Sequence, residues 1–99
     1  MPIVSFGDKG TEDVFHGRNT AEARRTLPKE LWPIAQRKLD MIQAAAELKD
    51  LRIPPGNRLK ALKGDRKEWY SIRINQQYRI CFRWTPQGAE EVEIVDYHK

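Results

Sequence analysis

The 99-residue chain is 39% hydrophobic and 32% charged, a globular balance whose length supports one domain over residues 1–99 and leaves no room for a second. No apolar run approaches the roughly 18 residues of a membrane span, and Met1-Pro2-Ile3-Val4-Ser5-Phe6 has neither a charged leader nor a small-residue cleavage site, so a cytosolic location is expected. The single cysteine, Cys81, excludes an intramolecular disulfide and, with only two histidines, argues against structural zinc.

Ile3 to Phe6 reads as a short first strand. Asp8 is placed to cap a helix running through Phe15 and stopping at Gly17. Residues 18–27 are polar and basic, and Pro28 and Pro33 then punctuate a helical start, since proline is best tolerated in a first turn. Beyond Pro33, Ala35, Leu39, Ile42 and Ala46 recur at helical spacing while Arg37, Lys38, Asp40 and Gln43 fall off that stripe. This helix should lay one face on a sheet.

Arg52-Ile53-Pro54-Pro55-Gly56-Asn57 breaks the chain, because two prolines and a glycine forbid a continuous helix or central strand. Leu59, Ala61 and Leu62 suggest a short strand before the charged turn Lys63-Gly64-Asp65-Arg66-Lys67. Positive charge concentrates here. Residues 49–67 carry Lys49, Arg52, Arg58, Lys60, Lys63, Arg66 and Lys67 against Asp50 and Asp65, an excess suited to a polyanion or an acidic protein and equally to a solvated loop.

From Trp69 to Trp84 the alternation is explicit. Tyr70, Ile72, Ile74, Tyr78, Ile80, Phe82 and Trp84 share one phase, and Ser71, Arg73, Asn75, Arg79, Cys81 and Arg83 share the other, across a tight Asn75-Gln76-Gln77 connection. Pro86-Gln87-Gly88 makes the next turn, and Val92 and Ile94 send the last strand into the same core. The order implies an α+β fold: N-terminal helices on one face of a mostly antiparallel sheet of four to five strands, with the other face open and basic. Strand phase places Tyr97, with Glu93 and Val95, on the side of the arginines.

The chain closes on Asp96-Tyr97-His98, three proton-capable or hydrogen-bonding side chains in succession. Beside a cationic face they suggest a site that holds a phosphate and moves a proton. His98 has the ordinary pKa nearest neutrality and is the natural proton-transfer candidate. Asp96 can orient His98 or Tyr97, take a proton itself, or simply end the strand. Tyr97 offers a hydroxyl and a ring on which a base can stack, or packing at a strand end. Arg79 suits a transition-state clamp, because a guanidinium stays charged and meets phosphate oxygens as a fork. Arg73 offers a second phosphate contact.

The runs Leu59-Lys60-Ala61-Leu62-Lys63-Gly64-Asp65-Arg66, Trp69-Tyr70-Ser71-Ile72-Arg73-Ile74-Asn75, Tyr78-Arg79-Ile80-Cys81-Phe82 and Ile94-Val95-Asp96-Tyr97-His98 resemble the HigB-like branch of the RelE/ParE superfamily of toxins from toxin–antitoxin pairs. The stretch from Arg37 through Leu59 is also similar to that branch. The resemblance implies the small RelE-like fold and a ribosome-dependent mRNA endonuclease, neutralised by a cognate HigA-like antitoxin and meeting operator DNA only through it. The implied reaction is attack of the RNA's own 2′-OH on the adjacent phosphate, which needs no metal or cofactor. The match favours a catalytic or orienting role for His98, favours Arg79 over Arg73 as the clamp, and sets Lys63 at a basic position that the family uses near the RNA. With the reading of the residues above, His98, Asp96, Tyr97 and Arg79 are the catalytic candidates and Lys60, Lys63 and Arg73 the candidate RNA contacts.

Lys60 departs from members of the branch that place histidine there. That leaves either His98 with Asp96 and Tyr97, or a Lys60 of lowered pKa, for proton transfer. The rival reading is a gyrase-directed toxin of the ParE type, which shares the fold and performs no catalysis. A binder of that kind has no chemical requirement for Asp96-Tyr97-His98.

Overall fold

The computed structural model describes residues 2–65 and 67–97. Helix α1 (Lys9–Phe15) starts where expected: the Asp8 carboxylate accepts from the Thr11 amide at 2.6 Å, satisfying one of the amides a helix start leaves unpaired. A second short helix, α2 (Ala21–Thr26), occupies the polar stretch that sequence patterning left unassigned. Its start is set by the Thr20 hydroxyl, which accepts from the Ala23 amide at 3.1 Å. Ala23 is its only buried residue, so it has almost no apolar stripe to betray it.

The two helices are tied by the buried carboxylate of Asp13, which accepts from the Thr20 hydroxyl at 2.7 Å, Lys9 Nζ at 3.1 Å and Arg18 Nη1 at 3.2 Å. Those donors favour the ionised form and outweigh burial, holding the Asp13 carboxyl below its ordinary range. The crossing is close at Gly10. A β-carbon there would stand 1.8 Å from Thr26 Oγ1 and 2.7 Å from the Glu22 carbonyl oxygen.

Helix α3 (Trp32–Ala44) carries Pro33 in its first turn and buries Trp32, Ala35, Leu39 and Ile42. The helix ends two residues short of the last position its spacing suggests: it stops at Ala44, Ala45 is buried in an extended conformation, and Ala46 is exposed. After two 3-10 turns, Leu48–Arg52 and Pro55–Asn57, the sheet follows as β1 (Lys60–Ala61), β2 (Trp69–Arg73), β3 (Tyr78–Thr85) and β4 (Gly88–Asp96), antiparallel and in sequential order.

The N-terminal segment is a correction. Ile3–Phe6 forms no continuous strand but runs parallel to β4 through two isolated bridges, Ile3 to Ala89 and Phe6 to Val92. Glu91 between them adopts a left-handed conformation (φ 51°), which turns its amide out of the ladder and onto the Ser5 hydroxyl at 2.9 Å. The core lies between the helices and the inner sheet face: Leu27, Leu39, Ile42, Ile72, Ile80, Phe82 and Val92 are wholly buried. Each such side chain stabilises the fold by about 1.5–3 kcal/mol relative to exposure.

A basic pocket as the candidate functional site

The outer face of the sheet is not uniformly open. Ser71 and Cys81, paired across β2 and β3, are fully buried there. What lies above Ser71 is the guanidinium of Arg79, whose Nε donates to Ser71 Oγ at 2.8 Å and whose Nη2 donates to the Ser71 carbonyl at 3.3 Å. Nη2 also donates to the carbonyl of Arg58 at 2.6 Å, a residue 21 positions earlier in the chain. These three, from Nε and Nη2, are the hydrogen bonds of the Arg79 guanidinium among the described residues.

Arg73 stands directly opposite Arg79 in the hairpin register, with Val95 as the next partner across β3 and β4. Like charges placed opposite one another destabilise a sheet, so this pairing opposes folding and is suited to an anion. Burial is the main influence lowering the Arg79 pKa; Tyr97 and Cys81 oppose that shift, and the charges of Arg73 and Arg58 add to it. A guanidinium so placed still carries its proton at neutral pH.

Together Arg58, Lys60, Arg73, Asn75, Gln76, Arg79 and Tyr97 line a pocket of about 320 Å³. Four of the seven are cationic, none is acidic, and the local field therefore favours an anion. Lys60 enters from β1, opposite Ser71. Asn75 and Gln76 come from the β2–β3 turn, which is fixed because the Asn75 side-chain oxygen accepts from the amides of Gln77 at 2.9 Å and Tyr78 at 2.7 Å. Tyr97 arrives past the end of β4, its amide donating to the Gln77 carbonyl at 2.6 Å and its hydroxyl 3.7 Å from Cys81 Sγ.

Of the residues singled out from sequence, Lys60, Arg73, Arg79 and Tyr97 thus converge. Asp96 does not join them: it shares the phase of Val92 and Ile94, pairs with Tyr78 in register, and accepts from Gln77 Nε2 at 3.2 Å. Lys63 is exposed in the loop after β1 and is not part of the pocket lining. His98 lies outside the described residues. Arg83, expected on the basic face, is neutralised instead; the register slips between Cys81 and Arg83, and Arg83 Nη2 meets Glu90 Oε1 at 2.5 Å.

Arg58, Asn75 and Gln76 were not anticipated as site residues. Arg58 follows the Pro54-Pro55-Gly56-Asn57 break and adopts a left-handed conformation (φ 47°, ψ 55°) that side-chain periodicity cannot reveal. The available signal was the positive charge at the exit of that break. Among the described residues no three His, Cys, Asp or Glu side chains cluster in a way that could hold a metal ion, and no helix is long and apolar enough to cross a membrane.

Comparison with known proteins identifies the family. The family described as RelE-like toxin of type II toxin-antitoxin system HigB matches residues 4–98. Toxin HigB-1 of Vibrio cholerae is 38% identical over 96 residues, covering 97% of each chain. An uncharacterized protein of Haemophilus influenzae is 43% identical over 58 residues, 59% of this chain and 57% of its own. With the helices packed on a four-stranded antiparallel sheet and a full-length match, the chain belongs to the HigB-like family, the RelE-like toxins of type II toxin–antitoxin systems, whose counterpart is an antitoxin protein.

Proposed function

We propose that this toxin is a ribosome-dependent mRNA endonuclease that halts translation by cutting the message, and that a HigA-like antitoxin neutralises it. The observation that carries this reading is the convergence of Arg58, Lys60, Arg73 and Arg79 with Tyr97 around one pocket free of acidic side chains. A phosphodiester in that pocket meets fixed positive charge where the phosphorane-like transition state gains negative charge, and such preorganised charge is a large source of rate. The 2′-oxygen forms its bond to phosphorus as the bond to the 5′-oxygen breaks. One proton leaves the 2′-OH and one reaches the departing oxygen, leaving a cyclic phosphate and a free 5′-OH.

Proton transfer falls to the tail, with His98 as the group whose ordinary pKa suits the task. Tyr97 supplies a hydroxyl at the pocket wall or a ring to stack on an unpaired base. Asp96 acts through orientation from outside the lining, and Lys63 meets the RNA beyond the pocket. The ribosome is the platform that presents the message, and operator DNA is met only through the antitoxin.

The test is to map 5′ ends of messages in a translating extract. His98→Ala and Arg79→Ala should each slow cleavage by about 10²-fold or more, the scale of losing an acid–base group or an electrostatic stabiliser. Wild-type rates in both variants would remove those assignments. Intact message together with gyrase inhibition would favour a ParE-type activity instead.

A further inference from the structure

We propose that Asn57 is a positioning residue for the pocket: it locks the turn that aims the Arg58 carbonyl at Arg79 and so sets the direction of the Arg79 fork. Asn57 is the only wholly buried asparagine among the described residues, and its side chain is fully engaged. Its oxygen accepts from Lys38 Nζ on α3. Its nitrogen donates to the carbonyls of Leu51 at 3.1 Å and Ile53 at 3.4 Å and lies 3.7 Å from Met41 Sδ. One amide group therefore ties the 53–58 turn to the 3-10 turn before it and to the main helix behind it.

The consequence falls on the next residue. Arg58, in its left-handed conformation, reverses the chain so that its carbonyl faces the hairpin and accepts from Arg79 Nη2 at 2.6 Å. Arg58 and Lys60, two residues on, both line the pocket. With Ser71 holding Nε and Arg58 holding Nη2, the guanidinium is fixed at two points on different elements. Releasing the Arg58 end leaves Nη2 on the longer, 3.3 Å bond to the Ser71 carbonyl alone, so the fork is aimed less firmly, and a small misplacement of a charge stabiliser is costly in rate. Asn57 is buried and does not itself line the pocket, so its effect should appear in the chemical step rather than in binding.

The inference rests on the endonuclease reading for its kinetic arm and on Arg79 itself for its structural arm. In the full chain, Asn57→Asp keeps a partner for Lys38 but presents oxygen to the Leu51 and Ile53 carbonyls, loosening the turn. We expect kcat for message cleavage to fall on the order of tenfold or more with KM within about threefold of wild type, and Asn57→Asp to add nothing to the loss from Arg79→Ala. Losses that multiply in the double variant, or a KM effect alone, would overturn the proposal.

Should Asn57→Asp fail to fold, Lys38→Gln weakens the same turn from the helix side and must show the same non-additivity. Independently of any activity, the Arg79 Nε–H resonance should be protected from solvent exchange in the wild type and exchange faster in the variants. An inactive wild-type protein would end the endonuclease reading alone. An Arg79 resonance unchanged by Asn57→Asp would end the positioning proposal.

Discussion

Replacing Arg79 with lysine separates geometry from charge at the centre of the pocket. The substitution keeps one positive charge but removes the planar fork that reaches Ser71 Oγ, the Ser71 carbonyl and the Arg58 carbonyl at 2.8, 3.3 and 2.6 Å. A hydrogen bond from a charged donor contributes about 1.5–3 kcal/mol when buried, and the bond to exposed Arg58 much less. Lysine recovers at most one of the three, while the buried Ser71 hydroxyl loses its donor. The expected net loss is about 1–3 kcal/mol, or roughly 4–15 °C in Tm for a domain of this size. Cleavage should fall further than stability, by about 10²-fold, because the fork proposed to clamp the phosphate disappears with its plane. Circular dichroism melting and message cleavage on the same preparation read the two effects. A Tm unchanged and a cleavage rate within about twofold of wild type would refute the reasoning, since both contacts and clamp would then be dispensable.

Gly10→Ala should destabilise by about 1–3 kcal/mol or more, since a β-carbon 1.8 Å from Thr26 Oγ1 forces α1 and α2 apart; an unchanged urea midpoint would contradict the crossing. The ionised Asp13, held below its ordinary 3.8 by Thr20, Lys9 and Arg18, contributes stability above that pH and loses it as pH falls through the lower folded value. Asp13→Asn should therefore make stability below about pH 4 less pH-dependent, and an identical acid limb in a pH series of melts would count against the assignment. Tyr97→Phe should slow cleavage by about 10²-fold if the hydroxyl moves or steadies a proton, with Tm little changed. Full retention of cleavage would assign Tyr97 to ring stacking.

The hairpin was legible because its chemistry is periodic: Tyr70, Ile72, Ile80 and Phe82 alternate with Ser71, Arg73, Arg79 and Cys81, and a strand projects successive side chains to opposite faces. The same alternation put Tyr97 with the arginines, where the pocket holds it. It also places Asp96 on the other face, so the closing Asp96-Tyr97-His98 run, a unit only by contiguity in sequence, has its first two members diverging in space. Helix α2 was hidden because a six-residue helix burying one alanine leaves no apolar period. Ile3–Phe6 has strand composition, but a left-handed Glu91 in its partner interrupts the ladder. Arg58 was missed because its placement depends on a positive φ and on the Asn57 contacts, neither of which a pattern of polar and apolar residues encodes.

The claim tested most directly is that the basic pocket cuts ribosome-bound message. The measurement is 5′-end mapping of a defined mRNA in a reconstituted translation system, with wild type, Arg79→Ala and His98→Ala compared, and with free mRNA as the ribosome-less control. The account predicts discrete new ends within the translated frame for the wild type, no such ends on free mRNA, and a loss of about 10²-fold or more in each variant. Message left intact by the wild type while growth is still arrested would contradict it.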